Sequence, residues 1–135
     1  ENVLNLETGR KVLAAETPAE GVRLIAAEQT AVHLRTAPLV RTLFTAAGAD
    51  AELDRYVDQL MAGIKLQVSR VTAVYRERGW IREDLSVDEL VETSAALSSV
   101  ELFLRITGRD GWSAQQYQAW LQRMLWENIF STAVH

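Results

Sequence analysis

The sequence predicts an all-α protein, and three observations carry that prediction. Apolar residues recur at spacings of three and four along nearly the whole chain, with no segment that alternates at two. Helix-start patterns, a Ser or Thr followed three residues later by Glu or Gln, stand at residues 17–20, 86–89 and 113–116. Breakers are few: proline occurs only at Pro18 and Pro38, while Gly48, Gly79, Gly108 and Gly111 punctuate the periodic segments.

Residues 1–16 read as a tail or the remnant of a linker helix. Val3, Leu4, Leu6, Val12 and Leu13 mark an amphipathic turn or two, but Gly9 interrupts them. The domain proper is expected over residues 17–135. At its start Thr17 offers a capping hydroxyl, Pro18 suits the first helical position, and Glu20 can return a bond to the cap amide. The helix over 18–36 carries one stripe at Val22, Ile25, Gln29, Val32 and Thr36 and a second at Leu24, Ala27, Ala31 and Leu34. Apolar surface on two sides implies burial on two sides.

Pro38 disfavours helical geometry at Ala37, so a break or a kink is expected there. A short helix over 38–47 follows, with Leu39, Val40, Leu43 and Phe44, and stops at Gly48. Asp50 caps a long helix reaching Arg78, whose stripe is Leu53, Val57, Leu60, Ile64, Val68, Val71 and Tyr75. At 1.5 Å per residue it spans about 40 Å, and Gly79 ends it as a left-handed cap. Ser86 opens a helix expected to run to Thr107, with a small, uncharged centre at Ser94-Ala95-Ala96-Leu97-Ser98-Ser99-Val100. Gly108 and Gly111 make the next turn, and Ser113 opens a final helix to Phe130.

Composition bounds the function. The 135 residues suit a single domain, and 48% hydrophobic with 24% charged residues is ordinary for a globular protein. The absence of cysteine excludes disulfides and thiolate metal sites. No apolar run approaches the ~18 residues of a membrane span, and residues 1–16 lack the basic-then-apolar pattern of a signal peptide. These features favour the cytoplasm and no membrane partner. A formal charge of −4 argues against direct binding of nucleic-acid phosphates by these residues. There is no Gly-rich phosphate loop, no His-Glu-x-x-His and no Gly-x-Ser-x-Gly, and neither His33 nor His135 belongs to a Glu-x-x-His pair. No enzyme activity, metal or cofactor is therefore expected.

Two segments carry a family resemblance. Tyr75-Arg76-Glu77-Arg78-Gly79-Trp80-Ile81-Arg82, followed by Leu85-Ser86-Val87-Asp88-Glu89, and Gly111-Trp112-Ser113-Ala114-Gln115-Gln116-Tyr117-Gln118-Ala119-Trp120-Leu121 resemble the C-terminal ligand-binding and dimerisation domain of TetR-family transcriptional regulators. The short Ala37-Pro38-Leu39-Val40-Arg41 helix after a long one fits the same pattern, and the resemblance covers residues 17–131. It implies an all-α bundle of the TetR C-terminal type that dimerises through a four-helix bundle. It also implies a helix-turn-helix DNA-binding domain, which residues 1–16 are too few to hold, so DNA is expected as a partner only through a segment outside this chain. By the same resemblance a small apolar or aromatic effector enters a cavity between the helices over 18–36, 38–47, 50–78 and 86–107. It favours one helix arrangement and lowers the operator affinity of the intact repressor.

Candidate effector contacts are Ile25, Gln29 and His33 on one helix face, Phe44, then Met61, Lys65 and Val68, then Leu97 and Glu101. Polar groups set among apolar ones orient a ligand in an apolar pocket. Each has a plainer alternative. His33 reads equally as a hydrogen-bonded helix histidine, Lys65 as a solvated side chain, and Glu101 as a surface partner of Arg105 at i+4. Phe44, Tyr75 and Trp80 suit a cavity wall or a packed core. Candidate homodimer contacts are Leu90, Ser94 and Ser98 on one helix and Tyr117, Trp120, Leu121 and Met124 on the other, since aromatic residues concentrate at interfaces. The competing reading of the whole is a helical homodimerisation module without a small-molecule site.

Overall fold

The computed structural model describes residues 3–130. Its elements are α1 (Val3–Leu13), α2 (Pro18–Ala47), α3 (Ala51–Glu77), α4 (Val87–Leu97), α5 (Val100–Phe103), a π-helical segment (Leu104–Arg109) and α6 (Ala114–Asn128). The all-α expectation holds: among the described residues the one β-type pairing is an isolated antiparallel bridge between Ile81 and Phe130.

The helix starts form as their side chains dictate. Thr17 Oγ1 accepts from Glu20 N at 3.1 Å, Asp50 Oδ1 from Glu52 N at 2.9 Å, and Ser86 Oγ from Glu89 N at 3.2 Å. At Ser113 the reciprocal box closes, with Gln116 N donating to Ser113 Oγ at 3.1 Å and Ser113 N to Gln116 Oε1 at 2.8 Å.

Two expectations are corrected, and one segment gains detail. Within residues 3–16, α1 docks on α2 and α3. Val12 and Ala15 are buried, and the last turn of α1 is capped from α3. Tyr75 Oη donates to the Val12 carbonyl at 2.5 Å, while Arg78 Nη1 and Nη2 donate to the Ala15 and Leu13 carbonyls at 3.1 and 2.9 Å. Carbonyls at a helix end lack their i+4 amides; the Val12 carbonyl also accepts from Ala15 N at 3.3 Å, and Tyr75 and Arg78 tie the end of α1 to the end of α3.

The first correction is at Pro38: the helices expected over 18–36 and 38–47 form one helix, α2, that runs through the proline. Proline there leaves the Leu34 carbonyl without its amide. Leu34 and Pro38 both lie on the solvent side of α2, so water can serve that carbonyl. Second, the helix expected over 86–107 is interrupted at Ser98 and Ser99 and continues as α5 and a π segment. Ser99, with φ −69° and ψ 149°, acts as a fresh N-cap and accepts from Leu102 N at 3.2 Å.

The stop at Gly79 is as expected. With φ 77°, Gly79 N bonds the Arg76 carbonyl and Trp80 N the Tyr75 carbonyl, both at 3.0 Å. This double bond pattern is a Schellman motif, closed by the Tyr75 and Trp80 rings at 4.8 Å.

The core collects Val12, Val22, Ala26, Tyr75, Ile81, Leu90, Phe103, Tyr117, Leu121, Leu125, Ile129 and Phe130. Burial of this kind is worth roughly 25 cal/mol per Å² of apolar surface removed from water. The core engages the first half of α2 and the last turns of α3. The remaining α3 stripe, Leu53, Val57, Leu60, Ile64, Val68 and Val71, is only half-buried.

Candidate functional site

His33 is where the helices meet. It projects from α2 with 6% of its surface exposed, and its Nε2 lies 2.7 Å from the Ser98 carbonyl at the α4–α5 break. A carbonyl only accepts, so Nε2 carries the proton. Burial holds the imidazole below its ordinary pKa, partly opposed by this hydrogen bond. The ring leans on Phe103 at 5.2 Å, and Phe103 meets Tyr117 edge-on at 5.1 Å. Tyr117 Oη donates to the Leu97 carbonyl at 3.3 Å. Burial pushes the Tyr117 hydroxyl well above its usual pKa, so it remains a donor at any physiological pH. At the break the Ser98 carbonyl is thus capped from α2 and the Leu97 carbonyl from α6.

The other expected effector contacts do not gather around His33. Ile25 and Leu97 pack against the core, Gln29 is half-buried beside them on α2, and Val68 is half-buried on α3. Phe44 and Met61 are half-buried in the distal parts of α2 and α3. Lys65 is exposed and pairs with Glu92 on α4. Glu101 is exposed on the first turn of α5. Its expected partner Arg105 instead meets Asp110 at 3.6 Å, because the π turn alters the i+4 register. Tyr75 and Trp80 pack with each other and the core: Tyr75 is 1% exposed and its hydroxyl is pushed up to about 12 by burial.

Two depressions, both open to solvent, lie elsewhere. One of about 370 Å³ lies between α2 and α6, lined by Ala19, Val22, Ala119, Gln122, Arg123 and Trp126. The other, about 420 Å³, is lined by Arg41, Thr42, Thr45 and Ala46 of α2. None of the nine expected effector residues lines either.

The expected dimer contacts divide. Leu90, Tyr117 and Leu121 are fully buried in the core of the single chain, and Ser94 is buried with its carbonyl accepting from Ser98 Oγ at 2.6 Å. Their stripe faces inward, so a partner cannot reach those side chains in this conformation. Ser98, Trp120 and Met124 are half-buried, with Trp120 6.0 Å from the Tyr117 ring.

Residues that the sequence reading passed over complete the arrangement. Gly21 leaves room for Tyr75, Arg78 caps α1, Ser99 caps α5 and Phe103 carries the His33 contact. The Ser98-Ser99 pair inside an uncharged run was the one available signal of the break. Among the described residues no group of three or more His, Asp or Glu side chains is placed to hold a metal, and no helix is long and apolar enough to cross a membrane. Comparison with protein-family models, curated proteins and solved structures gave no match.

Proposed function

We propose that the chain is the effector-binding and dimerisation domain of a TetR-like cytoplasmic transcriptional regulator, a repressor whose operator affinity falls when a small apolar or aromatic effector binds. The observation that carries this reading is what the two resembling segments do. Each turns on a left-handed glycine, Gly79 at φ 77° and Gly111 at φ 80°. Each also ends on α6, the helix assigned to the dimer. The first reaches its C-terminus through the Ile81–Phe130 bridge and through Arg82, which donates from N to the Ile129 carbonyl at 3.1 Å and from Nη1 to the Asn128 carbonyl at 3.3 Å. The second supplies its N-cap at Ser113.

A second reading, a homodimerisation module without a small-molecule site, is favoured by one observation. His33 is engaged by the Ser98 carbonyl, and the open depressions lie away from the expected effector residues.

Thermal shift against a library of apolar and aromatic compounds separates the two. The sensor reading expects compounds that raise Tm with concentration, by the equivalent of about 2.7 kcal/mol at a hundredfold excess over Kd. Silence across the library, with a dimer in sedimentation, leaves the second reading. Sedimentation of Ala96→Arg and Ala119→Arg, both exposed in the single chain, tests the interface. A folded monomer is expected from at least one, and an unaltered dimer from both would remove α4 and α6 from the interface.

A further inference from the structure

The break between α4 and α5 lies at Ser98 and Ser99. Ser99 is extended, with φ −69° and ψ 149°, and Ser98 departs from the helix at φ −95° and ψ 10°. A helical ψ is about −42°, so a large rotation about the Cα–C bond of Ser99 and a smaller one at Ser98 are needed to join the two helices. Fusion would give Glu101 N the Leu97 carbonyl and Leu102 N the Ser98 carbonyl, the ordinary i→i−4 partners.

In the broken form three of those four groups are occupied by side chains. Tyr117 of α6 holds the Leu97 carbonyl, His33 of α2 holds the Ser98 carbonyl, and Ser99 Oγ holds Leu102 N. Leu102 N has one hydrogen, held by Ser99 Oγ, so this cap and the fused helix exclude each other, while His33 and Tyr117 tie the Ser98 and Leu97 carbonyls to α2 and α6. Immediately downstream the chain is π-helical over Leu104–Arg109, with Asp110 N reaching back to the Arg105 carbonyl at 2.9 Å. A π turn carries a residue more than an α turn, which gives the segment slack to absorb a rotation at Ser99.

We propose that Ser99 is a two-state hinge latched by His33 and Tyr117: the α4–α5 break persists while both latches are engaged, and α4 and α5 join into one helix when they release. Because the latches come from α2 and α6, any displacement of either helix relative to α4 biases the hinge. The proposal requires no effector and stands apart from the regulator reading.

The test is NMR on the 135-residue chain, using saturation-transfer and relaxation-dispersion measurements at residues 98–103. The expected minor state shows helical 13Cα and 13C′ shifts at Ser98 and Val100. Its population rises about tenfold in His33→Leu, the factor that corresponds to a lost buried hydrogen bond of about 1.4 kcal/mol. Tyr117→Phe removes the other latch and keeps the ring, and it is expected to raise the same population. If His33→Leu does not fold, Tyr117→Phe decides alone. A folded latch variant in which the helical minor state at Ser98 and Val100 does not rise overturns the proposal.

Discussion

Two glycine-to-alanine substitutions within helices are expected to shift stability in opposite directions. A Cβ on Gly21 would lie 2.9 Å from Tyr75 Oη, 3.0 Å from Cε2 and 3.1 Å from Cζ, all inside ordinary contact. The ring has little room to retreat. Its other faces meet Trp80 at 4.8 Å and Phe130 at 6.0 Å, and its hydroxyl is bonded to the Val12 carbonyl. Overpacking of this kind costs about 1–3 kcal/mol, offset by the roughly 0.5–1 kcal/mol that alanine gains over glycine in a helix. With the ring held on its other faces the upper part of the overpacking range applies, about 2–3 kcal/mol, so that, less about 1 kcal/mol of helix gain, Gly21→Ala is destabilising by about 1–2 kcal/mol. Gly63, in the middle of α3, is exposed and has nothing within 4 Å of a built Cβ, so only the helix gain applies. With an unfolding entropy of about 2.1 cal/mol/K per residue, Gly21→Ala should lower Tm by about 4–7 °C and Gly63→Ala should raise it by about 2–3 °C. Calorimetry at one fixed protein concentration measures both, and hydrogen exchange should show the Gly21→Ala loss concentrated in α1, which Tyr75 holds. A Gly21→Ala chain at least as stable as the parent would refute the close-packing argument for this position.

Arg78→Ala should destabilise by about 1–2 kcal/mol, allowing for the partial exposure of the guanidinium, and should speed amide exchange in α1 more than anywhere else. Arg78→Lys should not restore it, because one ammonium cannot reproduce a fork spanning the Leu13 and Ala15 carbonyls; uniform exchange changes along the chain would contradict the capping role. His33 gives a pH dependence of defined sign. Its folded pKa lies below the ordinary 6.5, so between the two values the unfolded chain binds more protons. Its contribution is complete above about pH 6.5 and declines as pH falls below that value. Tm measured from pH 7.5 to 5 should fall less steeply in His33→Gln than in the parent, and equal slopes would place the titration on other groups.

Local signals carried much of the fold. The caps at Thr17, Asp50, Ser86 and Ser113 and the stop at Gly79 are interactions between near neighbours, so residue type and spacing predict them. The stripe Tyr117, Leu121 and Leu125 was visible as buried, but periodicity does not say against what, and it turns toward the chain's own core. Pro38 misled because the rule for the preceding residue treats backbone preference alone, whereas the exposed side of α2 lets water serve the freed carbonyl. His33 was recognisable as a polar group within an apolar face. Its partner was not, because that partner is a backbone carbonyl 65 residues away, exposed by a break that no proline or glycine announces.

Stability is unevenly distributed along α2 and α3. The core takes Val22 and Ala26 from α2 and Tyr75 from α3. Beyond His33, Val40 and Ala47 are the buried apolar side chains of α2, and the facing α3 stripe is half-buried. Leu34, Leu39, Tyr56 and Leu66 there expose more than half of their surface. Sparse burial lowers the free energy of local opening. Under the sensor reading, Phe44 and Met61 lie in this weaker part, where an apolar effector would add the burial that the chain itself lacks. The route from there to α6 is α2, continuous for 30 residues through Pro38. While that part of α2 stays helical, a displacement of its far end reaches His33, and so the Ser98 carbonyl. Two helices separated at Pro38 would have uncoupled the distal segment from that contact, so the uninterrupted α2 is what makes a response at one end felt at the other.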